Sequence, residues 1–174
     1  CHAATRRWSE ILLHDARSDV ARAVAAELGE LPCRVVDLAT AAAADVVCTM
    51  TPSRTPVVRD EDVRPGAHIN ALGADAPGKQ ELDATILRRG RVFLDDDEQA
   101  RESGEVNVPL HDGRLSPAAR VGTLGEVVAG SLSGRISDTD ITIFDSTGLA
   151  VQDLAVAALM YARACAQRVG EAIA

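Results

Sequence analysis

The chain has 174 residues, 47% of them apolar and 25% charged, which is enough for one compact domain with a real core. Its net charge of −8, from 18 basic and 26 acidic side chains, repels a phosphate backbone, and no basic cluster interleaved with aromatics overrides that, so nucleic acid is excluded as an expected partner. No apolar stretch approaches the ~18 residues of a membrane span, and no charged segment followed by an apolar one opens the chain, so neither a membrane partner nor a signal peptide is expected and the expected compartment is the cytoplasm.

In chain order, Glu10–His14 (EILLH) reads as a short buried strand. Val20, Val24 and Leu28 then recur at helical spacing behind Ser18 and Asp19, with Gly29 where a helix ends. Cys33–Val36 is the next predicted strand, Leu38–Ala44 an alanine-rich helix, and Asp45–Met50 a third strand that ends in TPSRTP, whose prolines forbid regular pairing. After the turn Arg64-Pro65-Gly66 come a strand over Ala67–Leu72, a helix over Gln80–Arg89, a strand over Arg91–Leu94 and a short acidic helix near Asp96–Glu102. Gly104–Val121 reads as mostly irregular; a brief helix at Leu124–Ala129, a strand at Asp140–Phe144 and a long helix at Leu149–Val169 complete the pattern. Short apolar strands alternating with helices predict an α/β fold with a parallel sheet covered by helices. Residue 1 is Cys, and the chain opens inside what reads as a helix, so a truncated piece is expected.

Cysteines 1, 33, 48 and 165 show no metal-type spacing, which argues against zinc and disulfides. Cys33 and Cys48 are expected to be small buried hydrophobes within their strands. His2, His14, His68 and His111 are dispersed, His68 reading as structural, and Asp95–Glu98 reads as a solvated helix start rather than a metal site.

Two places carry chemistry. In doubly wound folds an acid at the end of the second strand binds the adenosine ribose, about 20 residues after a glycine loop. Asp15 follows EILLH at such a place, and counting back from it passes Cys1, so a missing glycine loop is what the spacing predicts. Asp15 as a ribose ligand and Asp15 as a simple helix cap both remain open; an acid here favours NAD over NADP, with Arg17 as the opposing sign. The second place is Gly73-Ala74-Asp75-Ala76-Pro77-Gly78-Lys79-Gln80. It matches GxxxxGK, but Gln80 stands where a Mg²⁺-binding Ser or Thr belongs, and Asp75 would face phosphates among their amides. As a turn past a strand's carboxyl end it makes better sense: Asp75 can orient or deprotonate a water. Lys79, the only lysine, then sits near the predicted helix N-terminus, where a cation is unfavourable, which hints at a ligand role. A solvated lysine beside a turn-forming Asp is the plain alternative.

The runs DVVCTMTPSRTPVV, PGAHINALGADAPGKQELD, GEVNV, LGEVVAG and ITIFDSTGLAVQD, in this order, resemble the ornithine cyclodeaminase and mu-crystallin family over nearly the whole chain. The resemblance implies a Rossmann-like doubly wound sheet, here lacking its first strand and glycine loop, over residues 1–145. Residues 146–174 are then a helix returning to a dimerisation and substrate domain. It implies NAD as cofactor, a small amino-acid substrate and a homodimer. Asp75 matches the catalytic aspartate; Asp15, Thr51, Ala71, Leu72, Gly73, Lys79 and Ser146 match cofactor-contacting positions, and Thr147 a residue facing the substrate. GEVNV and FDSTGLA lean toward the family's archaeal-type alanine dehydrogenases, which implies oxidative deamination of a small L-amino acid, alanine foremost. Cyclodeamination of ornithine, ketimine reduction and a non-catalytic crystallin-like role are the alternatives. The arginines and lysine that hold the substrate carboxylate in the family lie upstream of this sequence.

Overall fold

In the computed structural model, residues 7–171 are described. Cys1, His2 and the helix expected at the opening of the chain lie outside them. Seven short strands form, and every pairing among them is parallel. The first block comprises β1 (Ile11–Leu13), α1 (Ser18–Glu27), β2 (Cys33–Val35) and α2 (Leu38–Ala42), with β1 and β2 paired as a two-stranded sheet. Gly29 stops α1 in the left-handed conformation, φ +60°, that costs glycine least. The second block runs β3 (Val46–Thr49), β4 (His68–Ala71), α3 (Ala84–Arg89), β5 (Arg91–Leu94), α4 (Asp97–Glu102), α5 (Asn107–His111), β6 (Arg120–Thr123), α6 (Leu124–Val128) and β7 (Thr142–Asp145). Its five strands lie in the order β3-β4-β7-β5-β6, which makes the last strand in sequence the centre of the sheet. Helix α2 packs on β1 and on the 3-10 turn Asp60–Asp62 of the second block, so the two blocks touch without sharing a ladder.

The core gathers on the larger sheet. Ile69, Val92, Leu94 and Ile143 from the strands meet Leu82, Ile86 and Leu87 from the α3 region, all at or below 1% exposure. Each such side chain contributes about 1.5–3 kcal/mol of burial. Helix α7 (Ala150–Gln167) contrasts with this: it has no buried residue, and Leu154, Leu159 and Met160 are 69%, 52% and 65% exposed. No helix among the described residues is long and apolar enough to cross a membrane.

The α/β parallel architecture matches expectation, and four local readings need correction. The helix expected from Gln80 starts at Ala84, capped by Asp83. Residues 80–83 run extended instead, because the Glu81 carbonyl accepts the N–H groups of Val57 and Val58 while Leu82 bridges Val58 in parallel. Lys79 therefore does not sit at a helix N-terminus, and the dipole argument for it lapses. The stretch 104–121 is not irregular: it holds α5, a 3-10 turn at Pro117–Ala119 and the start of the edge strand β6. Cys48 is exposed rather than buried, because Val47 and Thr49 take the core face of β3 and Cys48 the open one.

Candidate active site

Because the strands are parallel, β3, β4 and β7 all end at the same side of the sheet, where open α/β sheets bind ligands. The register places Thr49 beside Ala71 and Ala71 beside Asp145, so the three following loops leave the sheet as neighbours. Between the first two lies an open cleft of about 390 Å³ lined by Met50, Thr51, Pro52, Leu72, Gly73, Asp75 and Lys79. Sequence reasoning thus named Thr51, Leu72, Gly73, Asp75 and Lys79 separately, and the fold brings them into one cleft.

At the rim, Asp75 and Lys79 form an ion pair four residues apart, the Asp75 side chain 58% exposed and that of Lys79 21%. The hydrogen bond from the Lys79 ammonium, reinforced by its charge, holds the Asp75 carboxyl below the usual carboxylate range. Asp75 is therefore ionised at neutral pH and able to accept a proton or orient a water. Behind the pair, the Gly73–Lys79 loop is tied at several points. Ala74 accepts the Gly104 N–H at 2.5 Å, Pro77 accepts from Arg54, and Asn107 Oδ1 accepts the Gly78 N–H at 3.3 Å.

The floor is built from three buried acids that sequence reasoning missed, Glu81, Glu105 and Asp145. Glu81, fully buried, accepts the Thr51 N–H on Oε1 at 2.5 Å and the Gly73 N–H on Oε2 at 2.9 Å. Glu105, also fully buried, accepts the N–H groups of Glu81 and Leu82. Asp145, at the end of β7 and equally buried, accepts those of Glu105 and Val106. Burial pushes Glu105 up to about 8 and Asp145 up to about 7, against the opposing pull of the same N–H groups. Two glycines make the close approaches possible. A Cβ on Gly73 would collide with the Thr51 carbonyl and stand 2.6 Å from the Glu81 carboxylate. Gly104, at φ +100°, would put one 2.9 Å from Thr147 and 3.1 Å from the Asp145 carboxylate. Glu81, Glu105 and Asp145 come one each from the QEL, GEVNV and FDSTG runs that carried the family resemblance, which is the signal that could have found them.

The remaining predicted residues sit apart from the cleft lining. Ala71 is buried at the end of β4, and its carbonyl accepts the Ser146 N–H at 3.0 Å. The Ser146 and Thr147 hydroxyls donate to Asp95, which also accepts the Thr147 and Gly148 N–H groups. This corrects one reading: Asp95 is a tether of the β7 loop rather than a solvated helix start. Asp15 follows β1 on the smaller sheet, where one carboxylate oxygen accepts the Arg17 N–H at 2.7 Å in the turn before α1, whose N-cap is Arg17 and carries no side-chain cap. His68 is engaged at both ring nitrogens, by Thr142 Oγ1 and Asn70 Oδ1. Among the described residues no group of three or more His, Cys, Asp or Glu is placed to hold a metal ion.

A parallel sheet with an open cleft at its carboxyl edge and a carboxylate–ammonium pair on the rim is the arrangement of α/β proteins that bind their ligands at strand ends. Within that class the chain belongs to the ornithine cyclodeaminase/mu-crystallin family, whose profile matches residues 4–168. It is 54% identical over 129 residues to an alanine dehydrogenase of Archaeoglobus fulgidus, covering 74% of this chain and 40% of that protein. It is 46% identical over 134 residues to an iminosuccinate reductase of Paracoccus denitrificans, covering 76% and 41%. Its fold superposes on an archaeal alanine dehydrogenase dimer with bound NAD at a TM-score of 0.92 and 44% identity, over 99% of this chain and 54% of that one. The chain thus spans about 40% of the length of these curated relatives.

Proposed function

We propose that this chain is the cofactor-binding part of an NAD-dependent enzyme that oxidatively deaminates a small L-amino acid, alanine foremost. The observation that carries the reading is the Asp75–Lys79 pair at the rim of a cleft whose glycine, Gly73, leaves no space for a side chain. Gly73 lets its loop close onto Thr51 and Glu81, which brings the two loops together across the strand ends, where a dinucleotide would lie. Thr51, Ala71, Leu72, Gly73, Lys79 and Ser146 are the proposed cofactor contacts, with Asp15 reaching the adenosine ribose from the end of β1 and Thr147 facing the substrate.

NAD⁺, when bound, supplies the acceptor for the hydride leaving the substrate Cα. The protein's own part follows from the rim. Asp75, held as a carboxylate beside Lys79, takes a proton from the water that adds to the imine carbon and returns it to the amino nitrogen, so that the C–N bond breaks and ammonia and a keto acid leave. Lys79 keeps the carboxylate charged and aimed until a ligand competes for the ammonium. The exposed apolar face of α7 supports its assignment, with residues 146–174, to a dimerisation and substrate domain. Size-exclusion chromatography of residues 1–174 alone is expected to show association or aggregation; a well-behaved monomer would oppose that assignment.

The likeness to an iminosuccinate reductase supports a second reading, in which the same cleft serves reduction of an imine to an amine. The two are separated by following NADH absorbance in the full-length protein. Deamination gives NADH from L-alanine and NAD⁺, whereas imine reduction consumes NADH only when an imino acid is supplied. No absorbance change with alanine, at any pH from 7 to 10, would overturn the primary reading.

A further inference from the structure

We propose that Glu81 is a positioning residue that holds the two cofactor-facing loops at a fixed separation, with Glu105 and Asp145 holding Glu81 in turn. The inference rests on the dinucleotide reading above. Its basis is the direction in which the hydrogen bonds run. Asp145, on the central strand, receives the N–H groups of Glu105 and Val106; Glu105 receives those of Glu81 and Leu82; Glu81 receives those of Thr51 and Gly73. Each acid clamps the backbone that carries the next, from the middle of the sheet out to the cleft. Every hydrogen bond in this relay is donated by a backbone N–H, not by a cation.

The last link explains why the acid must be a carboxylate. Thr51 and Gly73 lie on separate loops, and each presents an N–H to a different oxygen of Glu81. A carboxylate has two acceptor oxygens and no donor, so it satisfies both. Glutamine has one acceptor and one donor and must leave one N–H facing its own NH₂. Thr51 and Gly73 themselves line the cleft, so a shift at either changes its width. A buried acid whose role was folding alone would not need to meet the cleft lining on both sides.

The test is made on full-length protein with Glu81→Gln and Glu81→Asp, reading NADH affinity by fluorescence titration and amide exchange at Thr51 and Gly73 by NMR. In folded Glu81→Gln, exchange at one of the two amides is expected to speed up and NADH affinity to fall roughly tenfold or more, as for a buried donor left unpaired. Glu81→Asp, which keeps both acceptors on a shorter arm, is expected to lose less. NADH affinity and amide protection unchanged in a folded Glu81→Gln protein would overturn the proposal. So would failure of both variants to unfold cooperatively, which would make the acid a folding determinant instead. If the unsubstituted protein bound no NADH, the dinucleotide reading itself would fall, whereas normal binding in the unsubstituted protein and in both variants would fell the positioning role alone.

Discussion

At the rim of the cleft Asp75 is open to water and paired with Lys79; beneath it, Glu105 and Asp145 are sealed from water and receive backbone N–H groups. The same kind of side chain is driven in opposite directions, the rim acid down by a cation and the floor acids up by burial. The difference teaches where chemistry and where geometry reside. A carboxylate that moves protons needs solvent and a partner it can exchange, while one that holds backbone must be kept from both.

The sharpest way to break this division is at the rim. Asp75→Asn in the full-length protein is expected to lower turnover of L-alanine by ~10²-fold or more, the loss of a general base. Near-normal turnover would reduce Asp75 to a turn residue. Next in size, Gly73→Ala forces a methyl against the Thr51 carbonyl and the Glu81 carboxylate. Overpacking of that kind costs ~1–3 kcal/mol, and NADH affinity measured by titration should fall roughly 5- to 150-fold if the strain is felt at the cleft.

The floor is tested through pH. Glu105 and Asp145 carry folded-state values near 8 and 7, above those of an unfolded chain, so between roughly pH 4.5 and 8 the folded protein holds protons that the unfolded one has released. Their contribution to stability is therefore largest below the unfolded values, falls throughout that window and is fully lost once pH passes 7 for Asp145 and 8 for Glu105. The exposed acids with lowered values, such as Asp75 and Glu126, act in a separate window, losing stability only below the ordinary carboxylate range. Urea unfolding from pH 5 to 8.5 should show this decline, with a slope on the order of 1 kcal/mol per pH unit. Glu105→Gln keeps an acceptor for the Glu81 and Leu82 N–H groups and should make the decline shallower, leaving the part due to Asp145, which ends near pH 7. The smallest expected effect is at Asp15: Asp15→Ser should narrow the preference for NADH over NADPH by roughly fivefold, the worth of one exposed like-charge contact.

Which of these residues the sequence discloses follows from what burial does to a pattern. The strands β3 and β5 were legible because VVCT and RVFL carry the apolar run of a covered sheet, and β4 because HINA alternates polar residues with buried apolar ones. Strand β6 was not: RVGT is a short edge strand with one large apolar residue and a glycine. Gln80-Glu81-Leu82 looked helical because nothing in the letters shows that the Glu81 carbonyl is taken by Val57 and Val58. The rim was legible for the complementary reason, since Asp75 and Lys79 are polar residues just past a strand, where ligands bind. Glu81 and Glu105 carry no such mark, because their burial depends on N–H groups from loops 8 to 30 residues away.

The most direct test of the division is the affinity of Asp75→Asn for NADH, measured by fluorescence titration on the same preparation whose turnover is assayed. If the rim acid reacts and the floor positions, the dissociation constant should stay within about threefold of the unsubstituted protein, under ~1 kcal/mol, while turnover collapses. A dissociation constant that weakens in step with turnover would contradict it, because Asp75 would then be holding the cofactor rather than moving a proton.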